Sequence, residues 1–297
     1  MIYLDKIKKI KNFILRKSSE FNDQIIKKKY TDYQNHKINF IKKKSIIWHF
    51  ATPKSASTYL MKYIDKSAME NNVDIRRIRA LPDHNNRVQE ISLDTLFFFI
   101  KNSNNKNFLI SHVHSPLNNY LLKLFSSNHK IIIQYRDVID TLLSLRDYMD
   151  LEAMNEIKEQ KLFSSPWIEI SAKNWVKLSS KEKNNLIIHY YLPWHLKFLH
   201  SWSNERLGAE VIYLNYENVI NNIDNICSKI FNKEVKKKNI YLTKQSIRFN
   251  IGQDRQNTFN EDEILKIYNF ISFYLSTMNT NIENIYDLKK FKKLNEN

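Results

Sequence analysis

The sequence predicts an α/β protein built as a three-layer sandwich: a central parallel sheet flanked by helices. Three observations predict it. Four short runs, Ile46 to Thr52, Phe108 to Val113, Lys130 to Tyr135 and Glu210 to Asn215, are apolar on consecutive rather than alternate positions. Strands covered on both faces read this way. Between these runs lie longer stretches with apolar residues at helical spacing, and alternation of β and α is the signature of a parallel sheet. The chain of 297 residues is 42% hydrophobic and 13% aromatic. That is enough apolar surface to offset the entropy of ordering, which excludes a chain disordered throughout.

Taken in order, residues 1 to 44 form a basic arm with 13 basic and 4 acidic residues. Tyr3, Ile7, Ile10 and Ile14 recur there at helical spacing between lysines, so the arm is expected to be helical. It reads first as a solvated helix, and second as one making weak contact with an anionic membrane surface. Residues 45 to 297 carry no internal repeat and no Pro/Gly linker, so they are expected to form one domain. The first strand runs into a loop and a helix over Thr58 to Met69. A helix over Leu117 to Phe125 precedes the strand ending at Tyr135, and another follows over Val138 to Met149. Tyr190 to Trp202 is rich in aromatics, and its spacing suits a buried helix better than a ligand pocket. Residues 260 to 280 read as a last helix, with Ile264, Ile267, Ile271 and Tyr274 on one face. Cys227 lies in an Ile-rich run as a small core residue. The lysine triplets at 27–29, 42–44 and 236–238 are solvated. Segments 70–107 and 150–190 carry no readable specificity code.

Lys and Arg exceed Asp and Glu by 47 − 31, a net charge of +16. Such a field attracts phosphates, sulfates, nucleic acid or anionic lipid. One cysteine excludes a disulfide framework and a Cys-based zinc site. No window approaches the roughly 18 consecutive apolar residues that cross a bilayer. The basic N-terminus lacks a signal-peptide pattern, so the expected location is cytoplasmic. Only 2 glycines occur, where ordinary usage of about 7% would give about twenty. Motifs that rest on glycine are therefore disguised.

Two segments carry chemistry. Ile46 to Thr52 feeds Pro53-Lys54-Ser55-Ala56-Ser57-Thr58-Tyr59 and then a helix. At the carboxyl end of a strand, backbone N–H groups and the helix dipole converge on an anion site. Ser55, Ser57 and Thr58 add hydroxyls, and Lys54 adds a full charge. The segment is not a G-x-x-x-x-G-K-[ST] loop, because Trp48 and Pro53 stand where its glycines would be. Alone, it reads equally well as a Ser/Thr-capped helix with an exposed lysine. The second segment, Lys130 to Ser144, is a strand ending in Arg136 and a helix carrying Ser144 eight residues later. That spacing lets a guanidinium fork and a hydroxyl meet on one phosphate. A surface pair between Arg136 and Asp137 or Asp140 is the simpler alternative.

With both segments in view, the sequence resembles the sulfotransferases that use 3′-phosphoadenosine 5′-phosphosulfate, especially the cytosolic type. Their 5′-phosphosulfate loop, P-K-S-G-[ST]-T-[WY], matches Pro53 to Tyr59 except at Ala56. Their 3′-phosphate element, a strand-end Arg with a Ser eight residues on, matches Arg136 and Ser144. His114-Ser115-Pro116 resembles their His-Leu-Pro element, 22 residues before Arg136. Val211 to Asn218 resembles the strand leading to Tyr-Glu-Asp. Arg248, Asp254 and Phe259 resemble the C-terminal R-K-G-x-x-G-D-W-K-x-x-F segment. These elements span about residues 46 to 259 in the family's order.

The departures are Ala56 for the loop glycine, Phe249 and Asn250 for Lys-Gly, Gly252 one place early, and His112 where Lys is common. Ala56 would be strained if its φ were positive, and loss of the Lys removes one basic contact to the 3′-phosphate.

The resemblance implies sulfuryl transfer from 3′-phosphoadenosine 5′-phosphosulfate, with 3′-phosphoadenosine 5′-phosphate as product and no metal. It implies His114 as base, with His112 as the alternative because strand alternation places both on one side. It places Lys54 at the oxygen bridging sulfur and phosphorus. Residues Ser55, Ala56, Ser57, Thr58 and Tyr59 would hold the 5′-phosphate, and Arg136, Ser144 and Arg248 the 3′-phosphate. Tyr59 and Tyr216 are candidates for the adenine site, with core packing as the alternative for both. The acceptor is a hydroxyl or amine of a small molecule, carbohydrate or lipid. A nucleotide kinase or NTPase of like architecture, a basic nucleic-acid-binding protein and a non-catalytic scaffold are the rival readings. The failed glycine pattern and the lack of a nucleic-acid module stand against the first two.

Overall fold

The computed structural model describes residues 24–25, 27–79, 92–159, 168, 170–203, 207–235 and 259–278. Its centre is a sheet of five strands in the order β2-β3-β1-β4-β5. These are β1 (Ser45–Ala51), β2 (Ile75–Arg79), β3 (Asn107–Val113), β4 (His129–Tyr135) and β5 (Glu210–Asn215). Every neighbouring pair is parallel. The four expected strands are present to within a residue or two of the predicted ends.

The helices are α1 (27–42), α2 (Ser57–Glu70), α3 (Leu93–Lys101), α4 (Asn119–Leu124) and α5 (Val138–Glu159). They continue with α6 (Ala172–Trp175), α7 (Ser180–Tyr190), α8 (Leu192–Ser203), α9 (Tyr216–Asn221), α10 (Ile223–Phe231) and α11 (Glu261–Met278). Consecutive apolar residues along β1 point to opposite faces, so each strand feeds two cores. Ile47, Leu109, Ile132 and Leu214 pack with Leu60, Met61 and Ile64 of α2 and with Ile223, Ile226 and Cys227 of α10. Trp48, Phe50, Ile110, Ile131 and Ile133 pack on the other side against α4, α5, α8 and α11.

The aromatic stretch is mainly core: Tyr191, just before α8, and Leu196, Phe198 and Trp202 on it are all fully buried, while Tyr190 is exposed. The Trp202 ring lies 4.3 Å from Phe50 and 6.2 Å from Phe125. Cys227 is likewise buried in the second core. α1 is tied down at its end, where Ile41 is buried in the first core. Lys37 also pairs with Asp94 at the start of α3. The stretch from Tyr3 to Ile14 lies outside the described residues, and no helix among the described residues is long and apolar enough to cross a membrane.

Two packing facts position the site. β1 and β4 are neighbours, with Ala51 opposite Gln134. The helix following β1 covers one face and the helix following β4 covers the other. Where successive connections leave to opposite faces, the carboxyl ends of the strands open into a crevice, the usual ligand site of such sheets.

Candidate active site

The loop after β1 is held in an unusual shape. Lys54 has φ 64° and Ala56 has φ 66°, so two non-glycine residues adopt the left-handed region on either side of Ser55. The Cβ penalty expected at Ala56 is therefore present, and Lys54 carries a second one. Alternation of this kind turns successive backbone N–H groups toward one side, the arrangement that receives anions. α2 starts directly from this loop with Ala56 as its N-cap and no side-chain cap, and its first turn holds no acidic residue. By contrast, α3, α4, α6, α7 and α9 are capped by Ser92, Asn118, Ser171, Ser179 and Asn215. Ser55 is fully buried and donates from Oγ to the Thr52 carbonyl at 2.6 Å. Its hydroxyl braces the loop. Ser57 is also buried, and Thr58 is exposed. The Lys54 ammonium sits 4.4 Å from the centre of the Tyr148 ring on α5, a cation–π contact at the rim of the crevice.

The second turn leans on the first. Arg136, at the end of β4, reaches from Nη1 toward the Lys54 carbonyl at 3.5 Å. Its Nη2 lies 3.5 Å from Asp140 one helical turn on, a long pair with a half-exposed carboxylate. Its guanidinium carbon lies 4.2 Å over the centre of the Tyr216 ring at the start of α9. Nε of Arg136 is buried with no hydrogen-bond partner among the described residues. A guanidinium resting over an aromatic ring and only loosely paired can still offer N–H donors to an anion. Ser144 is buried on α5. Tyr216 meets Arg136, while Tyr59 is half-buried and packs 6.1 Å from Tyr63. The ring of Tyr59 therefore joins the α2 side of the second core.

His114 follows β3, and its Nδ1 lies 2.6 Å from the Ala51 carbonyl at the end of β1. A carbonyl only accepts, so Nδ1 carries the hydrogen and the neutral ring keeps its lone pair on Nε2. Burial lowers the pKa of His114, and the bond to Ala51 offsets part of that drop. The imidazole is thus neutral at physiological pH. The ladder between β1 and β3 shifts register, Trp48 facing Ile110 but Phe50 facing Val113. This one-residue offset sits beside the site, and such an irregularity re-aims the side chains that follow it. It interrupts the simple alternation that paired His112 with His114, and the side chain of His112 lies outside the described set. The His114 segment is anchored from α8. Trp202 Nε1 donates to the Ser115 carbonyl at 3.2 Å, and Leu117 N donates to Ser201 Oγ at 2.8 Å.

Arg248, Phe249, Gly252 and Asp254 lie outside the described residues; Phe259 is buried in the first core. Sequence reasoning missed three residues at the crevice. Tyr148 meets Lys54 from one turn beyond Ser144. His49 and Gln134 lie beneath the loop, and their only signal was polarity inside apolar runs. A cavity of about 290 Å³ opens at the opposite, amino edge of the sheet. Its Lys130 ammonium is already held by the Lys229 carbonyl, Asn232 and Glu210.

No family model matches the chain, and no curated protein matches it. Solved structures similar to it include mouse sulfotransferase SULT7A1 complexed with PAP, at 14% identity and TM-score 0.39, covering 83% of this chain and 72% of that one. Retinol dehydratase in complex with androsterone and inactive cofactor PAP is similar at 11% identity and TM-score 0.37, covering 81% of this chain and 83% of that one. Retinol dehydratase with retinol and PAP is similar at 11% identity and TM-score 0.31, covering 69% of this chain and 62% of that one.

Proposed function

We propose that the chain is a sulfotransferase, moving a sulfuryl group from 3′-phosphoadenosine 5′-phosphosulfate to a hydroxyl or amine of a small-molecule, carbohydrate or lipid acceptor. The observation that carries this reading is the meeting of two turns, each bearing groups suited to an anion, at the ends of adjacent strands. The Arg136 guanidinium reaches the carbonyl of Lys54, at the ends of adjacent strands. One bisphosphorylated nucleotide can therefore span both, its 5′-phosphosulfate on residues 54–59 and its 3′-phosphate on Arg136 and Ser144, with Arg248 as a further contact. Tyr216, already in contact with Arg136, stands where it can border the nucleotide.

The reaction follows from the groups in place. The acceptor oxygen attacks sulfur in line with the bond to the bridging phosphate oxygen. Its proton passes to Nε2 of His114, the lone-pair side fixed by the Nδ1 bond to Ala51. The new O–S bond forms as the old S–O bond breaks, and the electron pair leaves with 3′-phosphoadenosine 5′-phosphate. Lys54 neutralises charge gathering on the departing oxygen. The left-handed backbone holds the donor for in-line attack. His112 remains the alternative base.

Calorimetric unfolding with added 3′-phosphoadenosine 5′-phosphate tests the reading, with ATP and ADP as comparators. A ligand at a hundred times its dissociation constant stabilises by about 2.7 kcal/mol. Stabilisation by the bisphosphate alone supports the proposal. Stabilisation by ATP with magnesium, and none by the bisphosphate, replaces it with the nucleotide-kinase reading.

A further inference from the structure

His49 on β1 and Gln134 on β4 are both fully buried, in strands whose other buried residues, His129 apart, are apolar. Polar side chains are costly in such a place unless they are paired. They are paired with each other, since His49 Nε2 lies 2.8 Å from Gln134 Oε1. The other end of the Gln134 amide reaches upward, where Nε2 donates to the Ser55 carbonyl. The direction of the chain is fixed by chemistry. The Ser55 carbonyl only accepts, so the amide NH₂ must face it. Gln134 Oε1 then faces His49, which must donate from Nε2. Main-chain bonding completes the clamp, with Thr52 N donating to the Gln134 carbonyl at 2.9 Å.

The clamped carbonyl belongs to the peptide between Ser55 and Ala56. That peptide is trans, since the described residues include no cis bond. In a trans peptide N–H points opposite to C=O. A Ser55 carbonyl drawn down toward the sheet therefore sends the Ala56 N–H up, into the crevice. The same peptide lies between the two left-handed residues, Lys54 and Ala56. A glycine would adopt that conformation without penalty; here an alanine must be held in it.

From this geometry we infer that Gln134, aligned by His49, is a positioning residue: it holds the Ser55–Ala56 peptide with its N–H facing the 5′-phosphate. This inference rests on the nucleotide reading of the site. It gives that reading a device built from two buried polar residues in place of a loop glycine.

The test uses the full chain, isothermal titration and two probes: 3′-phosphoadenosine 5′-phosphate and adenosine 3′-monophosphate. The second lacks the group the loop would hold. The double variant H49L/Q134L removes both polar groups together, so neither is left buried and unpaired. It is expected to fold but to bind the bisphosphate about tenfold or more weakly, the scale of a lost bond to a charged group. Its affinity for adenosine 3′-monophosphate should stay within about twofold, because Arg136 and Ser144 are untouched. His49→Gln keeps a donor toward Gln134 and should bind the bisphosphate like the parent, while His49→Leu should not. That pair carries the test if the double variant fails to fold. If the parent binds the bisphosphate and the double variant binds it equally well, or loses both probes alike, the inference is overturned and the nucleotide reading stands. Equal affinities for His49→Leu and His49→Gln overturn it too. If the parent does not bind the bisphosphate at all, the nucleotide reading fails and the inference falls with it.

Discussion

Ala56→Gly should make this protein more stable, against the usual direction of a glycine substitution. Ala56 sits at φ 66°, ψ 25° in the left-handed region. There an L-residue is disfavoured by roughly 1–2 kcal/mol relative to its right-handed form. Glycine has no such penalty, but it loses more freedom on folding, about 0.5–1 kcal/mol relative to alanine. The difference is a net stabilisation of about 1 kcal/mol. A chain of somewhat smaller size gains about 2–4 °C in melting temperature per kcal/mol, so a rise of about 2 °C is expected by differential scanning calorimetry. Ala56→Val is the control: a β-branched side chain at positive φ is a genuine outlier, and its melting temperature should fall. A glycine variant less stable than the parent, or a valine variant as stable as the glycine one, would refute the reasoning.

Three further outcomes follow from the site and the core. His114→Ala should lower transfer by about 10²–10⁴-fold, the usual scale of a positioned base, while binding of 3′-phosphoadenosine 5′-phosphate is unchanged. Near-normal turnover, with loss in His112→Ala instead, moves the base to His112. Arg136→Lys keeps the charge but loses the fork and its contact with Tyr216. Affinity for 3′-phosphoadenosine 5′-phosphate should drop about tenfold or more, by the loss of a charge-assisted bond, with adenosine 5′-monophosphate little affected. Finally, burial holds the histidine pKa values of His49, His129 and His195 down to about 3, about 4 and about 3. Below the unfolded value of 6.5 the unfolded chain therefore binds protons that the folded chain refuses. The contribution is complete above about pH 6.5. It is lost toward pH 4 by up to about 1.4 kcal/mol per pH unit for each histidine. Urea melts at pH 7 and pH 5 check this, and equal stabilities would contradict it.

The parts of the fold legible in the sequence are those where burial alone sets the pattern. β1, β3 and β4 are covered on both faces, so their largely apolar runs mark them. β2 was not legible. Its sequence, Ile75-Arg-Arg-Ile-Arg79, offers no continuous apolar run, because among the described residues it is an edge strand bonded only to β3. Its Arg77 is absorbed by Asp65 and by Ser111 Oγ, partners 12 and 34 residues away that no local pattern reveals. α5 was expected to end at Met149 but continues to Glu159. Its later turns expose Leu151, Met154 and Ile157, which blurs the one-sided spacing that a packed helix shows. At the candidate site, the sequence could place the lysine, serines and arginine together because charge and hydroxyls cluster at strand ends. The left-handed turn at Lys54 was not, since nothing about lysine favours positive φ. His49 and Gln134 looked like interruptions of strands, and only the sheet register brings them under the same peptide.

The indole of Trp202 gives the site an optical reporter. It is buried among Phe50, Phe125 and Phe198, and its N–H is bonded to the Ser115 carbonyl, one residue from His114. Trp48 and Trp175 are equally shielded from water. Emission from the folded chain should therefore lie toward the blue and move red as the aromatic cluster opens. Movement of the His114 segment on binding would disturb one of those indoles directly, so ligand titrations can be followed by tryptophan fluorescence without a label.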